Sequence, residues 1–380
     1  MPAWYIEPRD PLIVRDGRPF GPDPGARAHS INFPTPATTS GGFRSRAGLK
    51  DGVFDRTPTN IQRVLRIGVR GPLLVALNDN GSFREWLPPA PADALLIGEG
   101  DNMQLLPMQP LAKPADTHTS IAPDLDLIGP RRATFAKPTL SPPRFWHWEK
   151  FTQWLLDPYH CSVTNLGVAG PGSEWRTHVA IEPKTQTASD GFLFQTSGLE
   201  FTTSDRQRLA LVIESAEQLR GFRGGFVPLG GERRLMAWRP GAPALPTCPE
   251  EVRQRILEER ACRVILLTPA HFELGYRPTW LPQKHQGVTP KLKAVLVQRA
   301  QLISGWDMQQ QPGRPKPTRR LAPSGSVFFL CLSGSNNQIN SWIDHIWMQN
   351  VSDDDQSRRD GFGLAALGCW DGRPVDMEVQ

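Results

Sequence analysis

Thirty-eight prolines, a tenth of the 380 residues, constrain this chain more than any other feature. The figure is about twice ordinary usage. Each proline removes a backbone donor and fixes φ, so long helices and central strands are excluded wherever prolines crowd. They crowd most between Pro88 and Pro143, where apolar periodicity is lost as well. The expectation for residues 80–145 is an extended insertion whose scattered Leu, Phe and Trp side chains dock on a neighbouring surface. An independent domain is not expected there.

The rest of the chain, with 39% hydrophobic residues overall, suffices for two ordinary cores. The net charge of +5 favours an anionic partner without requiring one. Its basic character is mostly arginine, which suits phosphate forks and stacking on bases. Five cysteines, Cys161, Cys248, Cys262, Cys331 and Cys369, contain no C-x-x-C and are odd in number. Reduced, buried thiols are expected, with no structural zinc and no disulfide framework. No basic-then-apolar leader or membrane-length apolar run stands out, so a soluble cytoplasmic protein is expected.

The order of elements reads best in the last third. A capping box, Thr247 with Glu250, opens a helix running to Arg260. Strands follow at Cys262 to Thr268, within Lys291 to Trp306, and at Ser326 to Leu332. The segment from His271 to Trp280 reads as short helix or irregular chain. Ser335 to Trp347 sets Ile339, Ile343, Ile346 and Trp347 at helical spacing. Gly361 to Trp370 is a glycine-rich turn and a closing strand. The order is βαββαβ, that of the ferredoxin-like (RRM-like) fold.

Once insertions are removed, the first two thirds fit the same order less cleanly. The expected elements are strand Trp4 to Ile6, helix Gly42 to Lys50, and strands Gln62 to Arg70 and Gly71 to Leu77. Strand Leu209 to Ile213, a helical turn Ser215 to Arg220, and a strand region Phe226 to Trp238 complete it. The expected fold class is therefore α+β, with two ferredoxin-like domains at 1–245 and 246–380. Insertions occupy about 80–145 (proline-rich) and about 146–200 (an aromatic segment and a β-hairpin). No internal sequence repeat accompanies this duplication.

Several motifs suit nucleic acid. Residues Trp4 to Phe20 run from a short strand into prolines and Gly17, presenting Arg9, Arg15 and Arg18 on a stiff edge fit for phosphates. An ordinary strand with a charged loop is the competing reading. Arg44 and Arg46 on the first helix are further RNA-binding candidates. In Leu229-Gly230-Gly231-Glu232-Arg233-Arg234, paired glycines permit close backbone approach to a phosphate while Arg233 and Arg234 add charge. A bulge or tight turn is the alternative. Arg176, Thr177 and His178 open a stretch that continues to Gly191-Phe192-Leu193-Phe194. His178 reads as a polar strand residue or a satisfied histidine before it reads as a base. Ser324 and Gly325 precede a buried strand. Gly361, Gly363 and Gly368 partly mimic G-x-G-x-x-G, but no helix opens there, so a dinucleotide site fails its context. Phosphate contact and tight packing of the closing strand compete for this loop. Phe145-Trp146-His147-Trp148 through Trp154 offers a stacking platform, but Trp148, Phe151 and Leu155 share a helical face, which favours burial. Neither a metal site nor a cofactor is expected, and no catalytic residue is assigned.

The opening, WYIEPRDPLIVRDGRPFG, resembles that of the third-subunit family of the Cmr complex, the type III-B CRISPR effector. That family is one of the RAMP (repeat-associated mysterious protein) families. Leu229 to Arg234 matches its LGGE-x-R pattern, and Ala322 to Ser326 resembles its PAGS strand opening with Ser324 in place of alanine. The loop from Gly361 to Gly368 resembles the C-terminal glycine loop of RAMP proteins, and Arg176 to Phe194 the hairpin called the thumb. The matches run from residue 4 to 370, though the proline-rich middle matches nothing. The resemblance implies a non-catalytic subunit at the base of the effector. It would hold the repeat-derived 5′ tag of CRISPR RNA, contact the large polymerase-like subunit and abut the RAMP backbone subunits, with target RNA nearby. The alternative is a metal-independent RAMP endoribonuclease processing precursor CRISPR RNA, for which His29 is the tempting base. A general RNA chaperone with tandem RNA-binding folds is a third class.

Overall fold

The computed structural model describes residues 1–15, 27–28, 30–113, 119–203, 206–219, 223–307 and 314–378. The chain forms two compact units, each assembled from three stretches of sequence. One comprises Met1–Arg84, Gly170–Pro243 and Leu302–Arg319; the other comprises Glu85–Ala169, Ala244–Gln301 and Arg320–Gln380. The expected division into 1–245 and 246–380 is therefore not the one found. Residues 85–169, expected as insertions in the first domain, belong to the second unit.

The first unit is built on a sheet ordered Gly225–Pro228, Leu235–Pro240, Ala3–Pro8, Arg208–Ser215, Val69–Leu77, Phe83–Leu87. Its main pairings are antiparallel. Alternation along Ala3–Pro8 sorts the side chains between two faces. On one face Trp4 and Trp238 close on Phe43 of helix Pro36–Ala47, with ring centroids 6.4 and 6.5 Å apart. Gly42 permits this contact, because a Cβ there would lie 2.6 Å from Leu229 Cδ1. On the other face Glu7 accepts hydrogen bonds from Arg208 (2.7 Å) and Arg239 (2.6 Å), and Arg239 lies over the Tyr5 ring.

The first helix starts earlier than expected, at Pro36, and stops before Lys50. Gln62 to Arg66, expected as strand, completes helix Pro58–Arg66. Thr57 caps that helix by accepting from Asn60 N, and proline at the first helical position suits it. Ser215 to Arg220 forms no helical turn among its described residues.

The second unit holds a four-stranded antiparallel sheet ordered Thr289–Leu296, Val327–Ser333, Ala261–Leu266, Ala365–Cys369. Helix Asn336–Ile346 buries Ile339, Trp342, Ile343 and Ile346, and carries a capping box of Ser335 with Gln338. The capping box expected at Thr247 does not form. Helix Glu250–Glu259 begins after Pro249, which places Glu250 at its first position rather than its third. His271 to Trp280 is irregular, and a short helix, Asp355–Asp360, precedes the glycine loop.

Counted in chain order, four strands of each sheet lie in the order 4-1-3-2. In the first unit these are Ala3–Pro8, Val69–Leu77, Arg208–Ser215 and Leu235–Pro240. Two helices fill its first crossover, while the second holds strand Gly225–Pro228 and a 3₁₀ turn among its described residues. In the second unit the first crossover is irregular and the second is helical. The architecture is α+β, but neither unit shows the complete expected βαββαβ order among the described residues.

The proline-rich stretch is more regular than expected. Strand Gln104–Leu111 pairs through its first half with Ala94–Ile97 and through its second half with Leu127–Pro130. Pro107 and Pro110, which have no N–H to donate, sit in these short pairings, and on the other side of the second half Pro110 O accepts from Val375 N. The stretch is fixed to the second sheet by a buried ion pair, Arg263 Nη1 to Asp93 Oδ2 at 2.5 Å, with side chains 3% and 1% exposed. Trp154 Nε1 donates to the other Asp93 oxygen (2.9 Å). The guanidinium also donates to the carbonyls of Cys369, Trp154 and Leu155. The ion pair is thus hydrogen-bonded on every side, as a desolvated charge requires.

Candidate nucleic-acid interface

Three motifs far apart in sequence meet in the first unit. Leu12 exchanges both backbone hydrogen bonds with Leu199, at the root of the hairpin Gly172–Ile181/Ala188–Glu200. Ser30 clasps the same root, bonding Val14 through its hydroxyl and donating its backbone N–H to Ser197 Oγ (2.8 Å). From the opposite direction Ile13 O accepts the Gly231 N–H at 2.7 Å. Gly230 has φ +72°, and a Cβ there would lie 2.4 Å from Ile13 O, so glycine alone fits. The Arg9 N–H completes the lacing by donating to Leu235 O (3.0 Å). The paired glycines thus serve first to bring the LGGE turn against the arginine segment, and Gly231 spends its N–H on that contact.

The candidate arginines fall into distinct environments. Arg9 and Arg233 are exposed, and among the described residues neither has a carboxylate partner. Arg233 sits at φ +52° in the turn, and the Arg9 guanidinium carbon lies 5.8 Å from the Phe226 ring centroid. Arg15 (3.8 Å) and Arg234 (2.8 Å) share Glu232. Arg176 pairs with Glu174, which raises its pKa through their hydrogen bond. Arg44 is buried and donates to the Ile67 carbonyl at the end of helix Pro58–Arg66, so its charge fastens two helices. Arg46 is half-buried in the last turn of its helix. Arg18, Gly17 and His29 lie outside the described residues.

The hairpin expected as the thumb is long and mainly exposed. His178 sits opposite Phe194, stacked at 5.3 Å, and its Nε2 is 3.0 Å from Thr196 Oγ1. Its ring is thus held between Phe194 and Thr196. Thr177 is exposed and accepts a 3.4 Å bond from Gln195. The face that carries Thr177, opposite to that of His178, also presents Trp175, Val179 and Leu193 to solvent.

The candidates of the second unit are packed inside it. Gly361 caps helix Asp355–Asp360 in the left-handed conformation. From Gly361 to Leu364 every backbone N–H is bonded internally, to Arg358 O, Ser357 O, Pro269 O and Thr268 Oγ1. At Gly363 (φ +85°) a Cβ would lie 2.8 Å from Ser352 N, and at Gly368 the same distance from the buried Arg263 Nη2. Gly325, beside the half-buried Ser324, donates to Leu266 O and accepts from Ala92 N. Tight packing, not presented donors, is what these glycines provide. The aromatic segment is likewise core: Trp146, Phe151, Trp154 and Leu155 are buried.

Sequence reasoning did not select Phe226 and Leu235, which flank the LGGE turn on two paired strands and remain exposed. Their closeness to a glycine–arginine motif was visible, but their exposure was not. Among the described residues no group of three His, Cys, Asp or Glu side chains is arranged to hold a metal ion. All five cysteines are free, and burial pushes the Cys248 thiol up to about 12 and Cys369 to about 11. Among the described residues no helix is long and apolar enough to cross a membrane.

No curated protein matches the chain. Two solved structures resemble it over 90% of this chain and 88% of theirs. One is a type III-B Cmr-beta complex bound to cognate target RNA and AMPPnP (16% identity, TM-score 0.49), the other Cmr-beta bound to cognate target RNA (15%, 0.46). The family model described as CRISPR-associated protein (Cas_Cmr3) matches residues 4–370, which takes in both sheets and every motif discussed above, and the chain belongs to that family.

Proposed function

We propose that this chain is a non-catalytic RNA-binding subunit of a type III-B CRISPR effector working in the cytoplasm. It holds the repeat-derived 5′ tag of CRISPR RNA and bridges the large polymerase-like subunit to the RAMP backbone subunits. One observation carries the reading: the arginine segment, the LGGE turn and the hairpin root converge on one side of the first unit. There Arg9 and Arg233 stay exposed without carboxylate partners among the described residues. Arginine forks suit phosphates, and irregular loops suit single-stranded bases. In this reading each unit is a ferredoxin-like module that retains one of its two crossover helices.

The test measures affinity for tagged and scrambled single-stranded RNA, with the large subunit present, across a salt series. The protein is expected to prefer the tag. Arg9→Ala with Arg233→Ala should flatten the slope of log affinity against log salt by about 0.7 per lost phosphate contact. Equal affinity for both RNAs would reduce the interaction to electrostatics. Cleavage of precursor RNA by the isolated protein would transfer the assignment to the endoribonuclease.

A further inference from the structure

Phe226 is 62% exposed, although its partner on the same face of the neighbouring strand, Ala237, is buried. The register sets Phe226 opposite Ala237 and Pro228 opposite Leu235, so Phe226 and the 42%-exposed Leu235 lie on the same face. Arg9 enters at this point because its N–H is bonded to Leu235 O, and its guanidinium stands over the Phe226 ring. Strand Gly225–Pro228 ends the sheet order, so among the described residues nothing of the sheet lies beyond it.

We infer that Phe226, with Leu235 beside it, is a seat on which one unpaired nucleobase of the bound RNA stacks, while Arg9 takes the adjoining phosphate. The inference rests on the RNA-binding reading and adds to it a specific contact. Two side chains offer far less area than a stable protein interface, which needs roughly 800 Å² from each partner. They do match a single ring. The nearest cations support an anionic occupant, because Arg9 and Arg233 lack carboxylate partners among the described residues. Asp10, beside Arg9, accepts from the Leu235 N–H at 3.3 Å, and Glu232 in the turn is engaged by Arg15 and Arg234. Every base has a π-face, so such a seat fixes the position of the strand and leaves base identity to be read elsewhere.

The test uses the full-length protein and short single-stranded RNAs of the tag sequence carrying 2-aminopurine at successive positions. Stacking should quench one position more than its neighbours. Phe226→Leu and Phe226→Ala should remove that quenching and weaken binding about 5- to 150-fold, the range of aromatic–base stacking. The salt slope should remain, since no charge is lost, and Phe226→Trp should retain both signals. An abasic nucleotide at the quenched position should make Phe226→Leu silent. If Phe226→Leu matches the unsubstituted protein in affinity and quenching while Arg9→Ala still weakens binding, the seat is refuted and RNA binding stands. If the unsubstituted protein binds no RNA, both fall together. Loss of another effector subunit at unchanged RNA affinity would make Phe226 a protein contact and overturn the seat.

Discussion

The two units use the same ingredients, glycines beside arginines on a 4-1-3-2 sheet, and put them to opposite ends. In the first, Gly230 brings a turn against Ile13 and leaves Arg9 and Arg233 in solvent. In the second, Gly368 clears room for Arg263 in the core, where Asp93 and three carbonyls surround it. A glycine–arginine motif therefore has no fixed meaning. What separates the exposed cations from the internal brace is whether the guanidinium is buried against a carboxylate.

The contrast is most easily broken at its buried end. Asp93→Ala strands Arg263 without its counter-charge, and removing one partner of a buried pair typically costs about 3–5 kcal/mol. Urea unfolding followed by tryptophan fluorescence should show that loss, with RNA affinity of the remaining folded protein unchanged. Gly363→Ala places a side chain at φ +85° against Ser352 N and should cost about 1–3 kcal/mol, again without touching RNA affinity. Gly230→Ala is the matched change in the first unit. By displacing Ile13 it should weaken RNA binding, measured by filter retention beside a thermal melt.

Finer still is the ranking of arginines. Arg15→Ala should flatten the salt slope less than Arg9→Ala, because Glu232 already offsets Arg15. Arg44→Ala should lower the melting temperature and leave the slope alone.

The smallest expected effect is a pH dependence. Burial, with His285 close by, holds His345 below the usual histidine value of 6.5. Below pH 6.5 the unfolded chain then binds the proton first, so this contribution to stability is lost as the pH falls through that region. Melting temperatures between pH 7.5 and 5.5 should decline less in His345→Gln than in the unsubstituted protein.

Much of this architecture was legible in the sequence. Leu209 to Ile213 and Ser326 to Leu332 are continuous apolar runs, and both are central strands. Gln62 to Arg66 was legible as helix: Ile61, Val64 and Leu65 stand at helical spacing, and Thr57-Pro58 is a start signal before them. The proline-rich strands were missed because each half of Gln104–Leu111 borrows its pairing from a different neighbour. Of the site, the Arg9 segment and the LGGE turn were readable as motifs. Their meeting was not, because it depends on backbone bonds between residues more than two hundred positions apart. The sense of the Gly361 loop was equally hidden, for only burial distinguishes a brace from a binding loop.

The Asp93–Arg263 pair also sets a schedule for synthesis. Its members are 170 residues apart. At translation rates of about 5–20 residues per second, roughly ten to thirty seconds separate their appearance. Throughout that interval Asp93, and for its later part Trp146 and Trp154, have been made while the sheet that will cover them has not. Strands waiting in this state are exposed to wrong pairing with other chains, and proline is among the residues that blunt such pairing. Prolines around Asp93 would limit such pairing for as long as its partner does not yet exist.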